Sequence, residues 1–311
     1  MANSNLATIT VDVDPIWHYL NARKLSPISQ TRLNAIYEDA LPRFLNIFKE
    51  LGITATFFVV GKDAQNTDNG KLLKKMVHEG HEIASHTMNH IQHFNEITVD
   101  EKIKEIEEAD KILSSTIDKK IKGFRAPGWN ITSEALKILE KNDYLYDSSI
   151  LSSSLNKLMA FYFKVKNYGN IHTSIGNTRQ FITSSLEPYH PNLNKIWEKG
   201  DSKILEILPS VTPKLRLPFH GAFMFFPMGV SYIHSCVAQC ARRNLPLIYE
   251  FHALDAIDPG SVSDHRLNVK EGFSWLVEKK VKKIKEVIKI ILKYYGKIVN
   301  LDELADKWQN N

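Results

Sequence analysis

The chain has very little cysteine: Cys236 and Cys240 are the only two among its 311 residues. They are four residues apart in a segment with helical periodicity, which places them on successive turns of one helix. Two sulfur ligands without further cysteines nearby make a poor zinc site, and a disulfide between neighbouring turns constrains little. We therefore expect a buried, reduced pair, which argues against a disulfide-stapled scaffold and a cysteine-based zinc site.

A long apolar run is also missing. The first residues, MANSNLATITVDVD, contain no basic start and no apolar stretch before the first predicted strand. This pattern lacks the features of a signal peptide, and no later stretch approaches the length needed to span a bilayer. The sequence thus predicts a soluble, cytoplasmic protein, with the inner face of the membrane as the alternative location.

The chain carries no strong excess of charge of one sign. It has 40 basic and 35 acidic residues, a formal net charge of +5. This weak basic balance is compatible with an anionic substrate, a phosphorylated carrier or a membrane surface. No nucleic-acid reading motif is present, so we expect no nucleic-acid partner. The sequence does not determine an oligomeric state.

What the chain does have is enough apolar residues for a large core, at 43% of the total, with aromatic residues at 10%. Neither an internal repeat nor a low-complexity linker interrupts it, so we expect a single catalytic domain over residues 1–311.

Strand-like and helix-like segments alternate along much of the sequence. Predicted strands have β-branched and aromatic residues, and predicted helices repeat their apolar residues at helical spacing. The predicted strands are 6–13, 53–61, 81–84, 120–124, 204–208 and 247–251. The predicted helices are 31–51, 70–79, 99–113, 133–142, 229–243 and 272–296. The alternation indicates an α/β fold with parallel strands, either a barrel or a doubly wound sheet.

Two segments stand apart from this alternation. Residues 150–226 mix aromatic, basic, proline and glycine residues without a clear period, which favours an irregular insertion that shapes a substrate cleft. Helix 272–296 is rich in lysine on one face and apolar on the other. We expect it to cover the barrel with its lysines in solvent, and peripheral contact with an anionic membrane is the alternative.

Metal-ligating residue types occur at two places. Asp12 and Asp14 end the first predicted strand, and their carboxylates point the same way along an extended chain. His86 and His90 follow the third predicted strand, and one helical turn between them would put both imidazoles on one face. Carboxylates and imidazoles are the ligands that borderline divalent metals prefer.

Further polar groups follow other predicted strands. Arg125 begins the turn RAPGW, Asp147 begins the polar run DSS that ends a further short predicted strand, and His252 ends the last strand before the long helix. Active sites of parallel α/β folds lie at the carboxyl ends of the strands. The repeated placement of charged and imidazole groups there predicts a catalytic site at that edge.

Taken together and in order, TVDVD, ATFFVVG, GHEIASHTMNH and RAPGW resemble the motifs of the polysaccharide deacetylase family, the family-4 carbohydrate esterases with the chitooligosaccharide deacetylase homology domain. The resemblance implies a distorted (β/α) barrel with fewer than eight strands. It also implies a hydrolase that removes an N-acyl group, acetyl or formyl, from an amino sugar. A glycan precursor or a lipid- or nucleotide-linked sugar is the substrate expected of a cytoplasmic member, in the assembly of a cell-surface glycan.

The resemblance also implies the site. The metal ligands would be Asp14, His86 and His90, and they would hold one divalent ion, zinc before cobalt, nickel or manganese. Asp12 would be the general base and Arg125 would lie beside it and keep it ionised. The backbone N–H of Gly128 would help to bind the oxyanion, and His252 would be the general acid.

Two departures from the family pattern bear on this site. Val13 separates the two aspartates of the first motif, which are adjacent in many members. No aspartate that would orient His252 is evident, and Asp255 is a candidate by proximity alone, equally able to cap its loop.

Two alternative functions remain. The first is hydrolysis of a small non-sugar amide by the same machinery. The second is a catalytically silent barrel that binds glycan. The joint presence of all the motif residues speaks against a silent barrel.

Overall fold

The computed structural model describes residues 6–155, 180–267 and 275–309. Its centre is a seven-stranded sheet in which every neighbouring pair is parallel. The strands of this sheet are β1 Ala7–Val13, β2 Thr56–Val59, β3 Glu82–Ser85, β4 Gly123–Phe124, β5 Tyr146–Asp147, β8 Leu205–Glu206 and β9 Leu247–His252. The remaining two, β6 Pro191–Asn192 and β7 Lys195–Lys199, form a separate antiparallel hairpin. The spatial order of the sheet is β8-β5-β4-β3-β2-β1-β9.

The sheet curls so that its two edges approach each other. Just beyond β8, the backbone N–H of Ser210 donates to the carbonyl of Ile248 in β9 at 3.0 Å, and the Ser210 hydroxyl accepts from the Ile248 N–H at 2.9 Å. β1 is buried along its whole length, because helices cover the outer face and side chains fill the inner one. The expected barrel with fewer than eight strands is confirmed.

Helices connect the parallel strands and pack outside them. They are α1 Ile16–Asn21, α2 Leu41–Leu51, α3 Gly61–Ala64, α4 Thr67–His78, α5 Val99–Ile117, α6 Ser133–Lys141, α7 Gly221–Ala241, α8 Pro259–Val262, α9 Val277–Tyr295 and α10 Leu301–Gln309. Several begin with side-chain caps that explain their start. Thr98 forms a capping box with Glu101 ahead of α5, and the Thr132 hydroxyl accepts the Ala135 N–H ahead of α6.

Several predicted boundaries were wrong. The helix expected from residue 31 begins with a π-helix at Ile36–Ala40, and α7 begins eight residues before the predicted position 229. α7 bends at Gly229, where φ is +75°, so the apolar period does not run through that residue. The strand expected over 53–61 is limited to Thr56–Val59, because Gly61 already begins α3.

The described part of residues 150–226 is only partly irregular. It contains a 3₁₀ turn at Phe181–Thr183, the β6–β7 hairpin and β8, which is a strand of the main sheet. The cleft predicted for this segment falls in part on residues 156–179, which lie outside the described residues. Cys236 and Cys240 are buried and unbridged in α7, as expected.

The lysine-rich helix was expected to keep its lysines in solvent, and one of them is an exception. Lys280 is fully buried and donates to the carbonyls of Leu254 and Ile257, at the end of a 3₁₀ turn. The others are exposed or half-buried along α9, and the first residues of the predicted helix, 272–274, lie outside the described residues. Among the helices described, none has the length and apolarity required to cross a membrane. The extent of a single domain stays a prediction.

Candidate functional site

The side chains singled out in the sequence lie at one edge of the barrel. Asp12 is the penultimate residue of β1, and Asp14 follows that strand. His86 follows β3, Arg125 follows β4, and His252 is the last residue of β9. The register pairs Asp12 with His252 directly. Because all these strands are parallel, their carboxyl ends converge, and residues far apart in the chain meet there.

Asp14, His86 and His90 form a tight, buried group. Asp14 Oδ1 is 3.0 Å from His90 Nε2 and 3.5 Å from His86 Nε2. Burial alone would raise the pKa of Asp14, but the neighbouring imidazoles of His90 and His86 outweigh it, and that pKa lies well below its usual value. Asp14 is therefore an anion held between two imidazoles.

This group fits a divalent metal ion. All its ligand-type atoms lie within 4.8 Å of one another, and no hydrogen bond to Asp14 Oδ1 is found among the described residues although that atom is fully buried. A buried carboxylate oxygen without a hydrogen bond is costly unless something else binds it. One carboxylate and two imidazoles form a three-ligand set that leaves a coordination position open, as catalytic zinc sites do.

The two histidines are brought together by a tight turn and not by the helical turn assumed from their spacing. Residues 86–90 have no helical structure, and Thr87 and His90 adopt positive φ angles of 64° and 51°. The turn is held internally by the Thr87 hydroxyl, which accepts the His90 N–H at 3.1 Å. The pairing was predicted correctly, but for the wrong local reason.

The start of α3 supports this turn from outside. The backbone N–H groups of Gly61 and Lys62 donate to the carbonyls of Thr87 and Met88 at 2.9 and 3.0 Å. A Cβ at Gly61 would lie 2.9 Å from the Met88 sulfur and 3.0 Å from the Ala109 Cα, so only glycine allows this approach.

Arg125 is fully buried and joins several parts of the site. Its Nη1 contacts Asp12 Oδ1 at 2.6 Å and Glu250 Oε2 at 3.2 Å. Its Nε donates to the carbonyl of Ser148, and its own carbonyl accepts from His86 Nδ1 at 2.7 Å. The contact between Arg125 and Asp12 that the resemblance implied is present, and Arg125 also orients one of the histidines through its backbone.

Glu250 is a buried carboxylate that the sequence analysis missed. It lies between Arg125 and His252, with Oε1 3.9 Å from His252 Nδ1. Burial and the charge of Asp12 raise the pKa of Glu250 to about 7, in spite of Arg125. Asp12, Glu250 and His252 also have ligand-type atoms within 4.8 Å, but the guanidinium already supplies the positive charge there.

His252 is the most open of these groups, with a third of its side chain (34%) exposed, and its Nε2 is 4.0 Å from Asp14 Oδ2. Burial disfavours its protonation, but the carboxylates of Asp14 and Glu250 outweigh that effect and raise the pKa of His252 above its ordinary value. The imidazole is thus able to hold a proton and to present it to the cleft.

Asp255 holds the main chain next to His252. Its Oδ2 accepts the His252 N–H at 3.1 Å, at the start of the 3₁₀ turn Ala253–Ala256. At the other end of this turn, the Lys280 ammonium donates to the carbonyl of Ile257. Gly221 makes room for the same carboxylate, since a Cβ there would be 3.0 Å from Asp255 Oδ2. Asp255 therefore caps the loop, and the same capping box includes the His252 side chain, so the part of Asp255 in orienting His252 stays a prediction.

Gly128 lies in the 3₁₀ turn Pro127–Trp129 that follows Arg125, and its φ of +62° favours glycine. The residue is half-buried, at the same edge of the barrel as Arg125. A contact of its N–H with an oxyanion stays a prediction.

Comparison with known proteins bears on this arrangement. Residues 28–146 match the family model described as polysaccharide deacetylase. The peptidoglycan deacetylase of Helicobacter pylori is 26% identical over 169 residues, 53% of this chain and 55% of that protein. A peptidoglycan-N-acetylglucosamine deacetylase of Bacillus cereus is 33% identical over 104 residues, 33% of this chain and 46% of that protein.

Over residues 28–146 this chain is similar to the polysaccharide deacetylase family. The matches span about half the length of those two relatives. Two solved structures support the fold. One, from Mycobacterium smegmatis and assigned as a polysaccharide deacetylase, has a TM-score of 0.63 at 16% identity and covers 98% of this chain and 90% of that one. The other, Puue allantoinase, has a TM-score of 0.59 at 15% identity, over 100% and 92% of the two chains.

The candidate site contains three residues that sequence reasoning missed: His18, Tyr19 and Glu250. Glu250 is two residues before His252 on the same strand, so the period of two places both on one face, and that signal was available. His18 and Tyr19 follow Asp14 closely, but only the direction of α1 brings them back to the site.

Proposed function

We propose that this protein removes an N-acyl group, acetyl or formyl, from an amino sugar by metal-dependent hydrolysis. The observation that carries the proposal is the position of Asp14, His86 and His90 next to the Asp12–Arg125 pair at one edge of the barrel. A three-ligand metal group beside a carboxylate that is paired with a buried guanidinium is suited to hydrolysis of an amide.

Asp14, His86 and His90 would hold the ion, which when bound supplies a Lewis acid for the acyl oxygen and lowers the pKa of water. Asp12 takes the role of general base and accepts a proton from the attacking water. Arg125, at 2.6 Å, holds the Asp12 carboxylate aligned for that transfer. The full burial of Arg125 strengthens this interaction because water does not screen it.

His252 has the role of general acid on the other side of the acyl carbon. The departing amine is too basic to leave without a proton, and the protonated imidazole supplies it. Glu250 orients the ring and stabilises its charged form from 3.9 Å. The Gly128 N–H would donate to the developing oxyanion.

The finer identity of ion and substrate is part of this proposal. Zinc is the first choice for one carboxylate and two imidazoles, ahead of cobalt, nickel and manganese. A glycan precursor, lipid- or nucleotide-linked, is the expected form of the sugar, in a cytoplasmic protein. Contact of the exposed lysines of α9 with an anionic membrane surface stays a prediction and is separate from the catalytic proposal.

Release of acetate and formate from a panel of N-acylated amino sugars tests the proposal, with and without a chelator, in wild type and His86→Ala. His78→Ala, at an exposed position at the end of α4, is the matched control. We expect chelator-sensitive release in wild type and His78→Ala, and loss of both metal and turnover in His86→Ala.

Three other results would count against the proposal. Release that survives both the chelator and His86→Ala contradicts the metal role. Metal binding without release from any sugar would shift the activity to a small non-sugar amide. Neither metal nor release would indicate a silent glycan-binding barrel.

A further inference from the structure

A short helix next to the site contacts two of the three metal-binding residues from behind. α1 begins two residues after Asp14 and carries His18 and Tyr19. His18 Nδ1 is 3.0 Å from His90 Nδ1, and the Tyr19 hydroxyl donates to Asp14 Oδ2 at 3.0 Å. These contacts use His90 Nδ1 and Asp14 Oδ2, so His90 Nε2 and Asp14 Oδ1 are left to face the metal position.

We propose that His18 and Tyr19 are positioning residues for the metal, which hold His90 and Asp14 in ligand geometry before the ion binds. The inference rests on the proposed metal-dependent function. It goes beyond that function in assigning the metal affinity partly to α1, a helix outside the family's motif residues.

The orientation of the His90 imidazole depends on its contact with His18. Its Nε2 is directed toward Asp14 Oδ1 at 3.0 Å. A neutral imidazole that offers Nε2 to a metal carries its proton on Nδ1, and that N–H needs an acceptor. His18 Nδ1 is in place to accept it, and the two rings meet edge to face with centroids 4.0 Å apart. His18 thereby fixes both the rotation and the protonated nitrogen of His90.

The two carboxylate oxygens of Asp14 have different surroundings, and Tyr19 causes the difference. Oδ2 accepts from the Tyr19 hydroxyl, whereas Oδ1 faces the two imidazole Nε2 atoms without a hydrogen bond among the described residues. The Tyr19 side chain is buried, so the hydroxyl is not free to turn to solvent instead. Tyr19 therefore directs one defined oxygen of Asp14 to the metal position.

α1 is itself anchored to the element that holds the histidine turn. The Trp17 indole N–H donates to Asp63 Oδ1 at 2.8 Å, and the Lys62 ammonium lies 4.7 Å from the centre of the Trp17 ring. Asp63 and Lys62 belong to α3, whose first N–H groups bind the carbonyls of residues 87 and 88. The support for Asp14 and the support for His90 are thus one connected structure, which is the condition for a preorganised metal site.

Zinc affinity of the metal-free protein, measured by titration calorimetry with a competing chelator, tests this inference without reference to turnover. His18→Phe keeps a ring against His90 but removes the acceptor, and His18→Asn restores an acceptor at the δ position. Tyr19→Phe removes only the hydroxyl. Loss of a residue that hydrogen-bonds a metal ligand lowers metal affinity by about 10- to 100-fold.

We expect His18→Phe and Tyr19→Phe to bind zinc at least about tenfold more weakly than wild type, and His18→Asn to recover most of the loss. Thermal unfolding of the metal-free variants shows whether each one is folded, and Tyr19→Phe and His18→Asn keep the test open should His18→Phe not fold. Equal affinity in all variants would overturn the inference, as would equal weakening in His18→Phe and His18→Asn. Absence of zinc binding in wild type would instead remove the proposed function itself.

Discussion

At the scale of single residues, the site depends on buried charges in which one guanidinium faces two carboxylates. Arg125 serves two carboxylates, one of which also approaches an imidazole. A buried carboxylate without enough positive charge around it resists ionisation, which explains why the pKa of Glu250 rises to about 7. Such perturbed groups are typical of catalytic sites, and they make Glu250 a testable member of this one.

Glu250→Gln keeps the shape of the side chain and removes its charge. The imidazolium of His252 then loses a stabilising anion, so the pKa of His252 falls and the alkaline limb of the rate–pH profile moves to lower pH. We expect kcat/KM at neutral pH to fall by about tenfold or more, within the range that general acid catalysis contributes.

The measurement is deacylation rate against pH for wild type, Glu250→Gln and Glu250→Asp. Glu250→Asp retains the negative charge and should keep the alkaline limb closer to that of wild type. An alkaline limb that does not move in Glu250→Gln would show that Glu250 has only a structural role.

At the scale of elements, the histidine turn depends on a close approach between backbones. Gly61 lies against Met88 and Ala109, where even a methyl group has no room. The short helix α3 therefore fixes the position of the turn that carries His86 and His90, through hydrogen bonds to its backbone carbonyls. A metal site built on a turn needs such support, because small displacements of a ligand weaken binding.

Gly61→Ala should displace Met88 and with it the turn. We expect a loss of about 1–3 kcal/mol in the free energy of unfolding, the usual cost of overpacking, together with weaker zinc binding. Gly260→Ala is the control, because a Cβ there meets only ordinary contact at 3.4 Å. Urea unfolding and zinc titration of both variants check the prediction. Wild-type values in Gly61→Ala would show that the turn adjusts without α3.

At the scale of the whole molecule, a second buried carboxylate links the barrel to its last helix. Glu82 in β3 accepts from the Thr56 hydroxyl at 2.6 Å, from the Tyr146 hydroxyl at 2.9 Å and from the Asp302 N–H of α10 at 3.1 Å. Burial, followed by the charge of Asp302, raises the pKa of Glu82 to about 8. Glu82 thus joins β2, β3 and β5 of the sheet to α10.

This pKa shift predicts how stability depends on pH. The folded protein holds the Glu82 proton up to about pH 8, whereas the unfolded chain loses it near the ordinary value of 4.5. The free energy of unfolding therefore falls as the pH rises through that window, because the folded protein binds a proton that the unfolded chain has lost.

Glu82→Gln should flatten this decline, since the amide has no proton to lose, while Glu79→Gln at an exposed position should leave it unchanged. Urea unfolding of both variants and wild type at pH 5 and pH 8 is the measurement. A decline of equal size in Glu82→Gln would assign it to other groups.

Much of this protein could be predicted from the order of its residues. Alternation of strand and helix patterns predicted the parallel sheet, and the polar residues at the ends of β1, β3, β4 and β9 predicted the edge at which these side chains meet. Both predictions succeed for one physical reason. Residue patterns of period 2 and 3.6 are local, and parallel strands bring their carboxyl ends to the same edge in any arrangement.

Only the tertiary structure decided how the side chains meet. The turn that joins His86 to His90, the contacts of His18 and Tyr19, and the position of Glu250 beside Arg125 depend on elements distant in the chain. Lys280 likewise looked like any other lysine of its helix, yet it is buried against Ile257. Burial and hydrogen bonding across elements are set by packing of the whole barrel, and no local pattern records them.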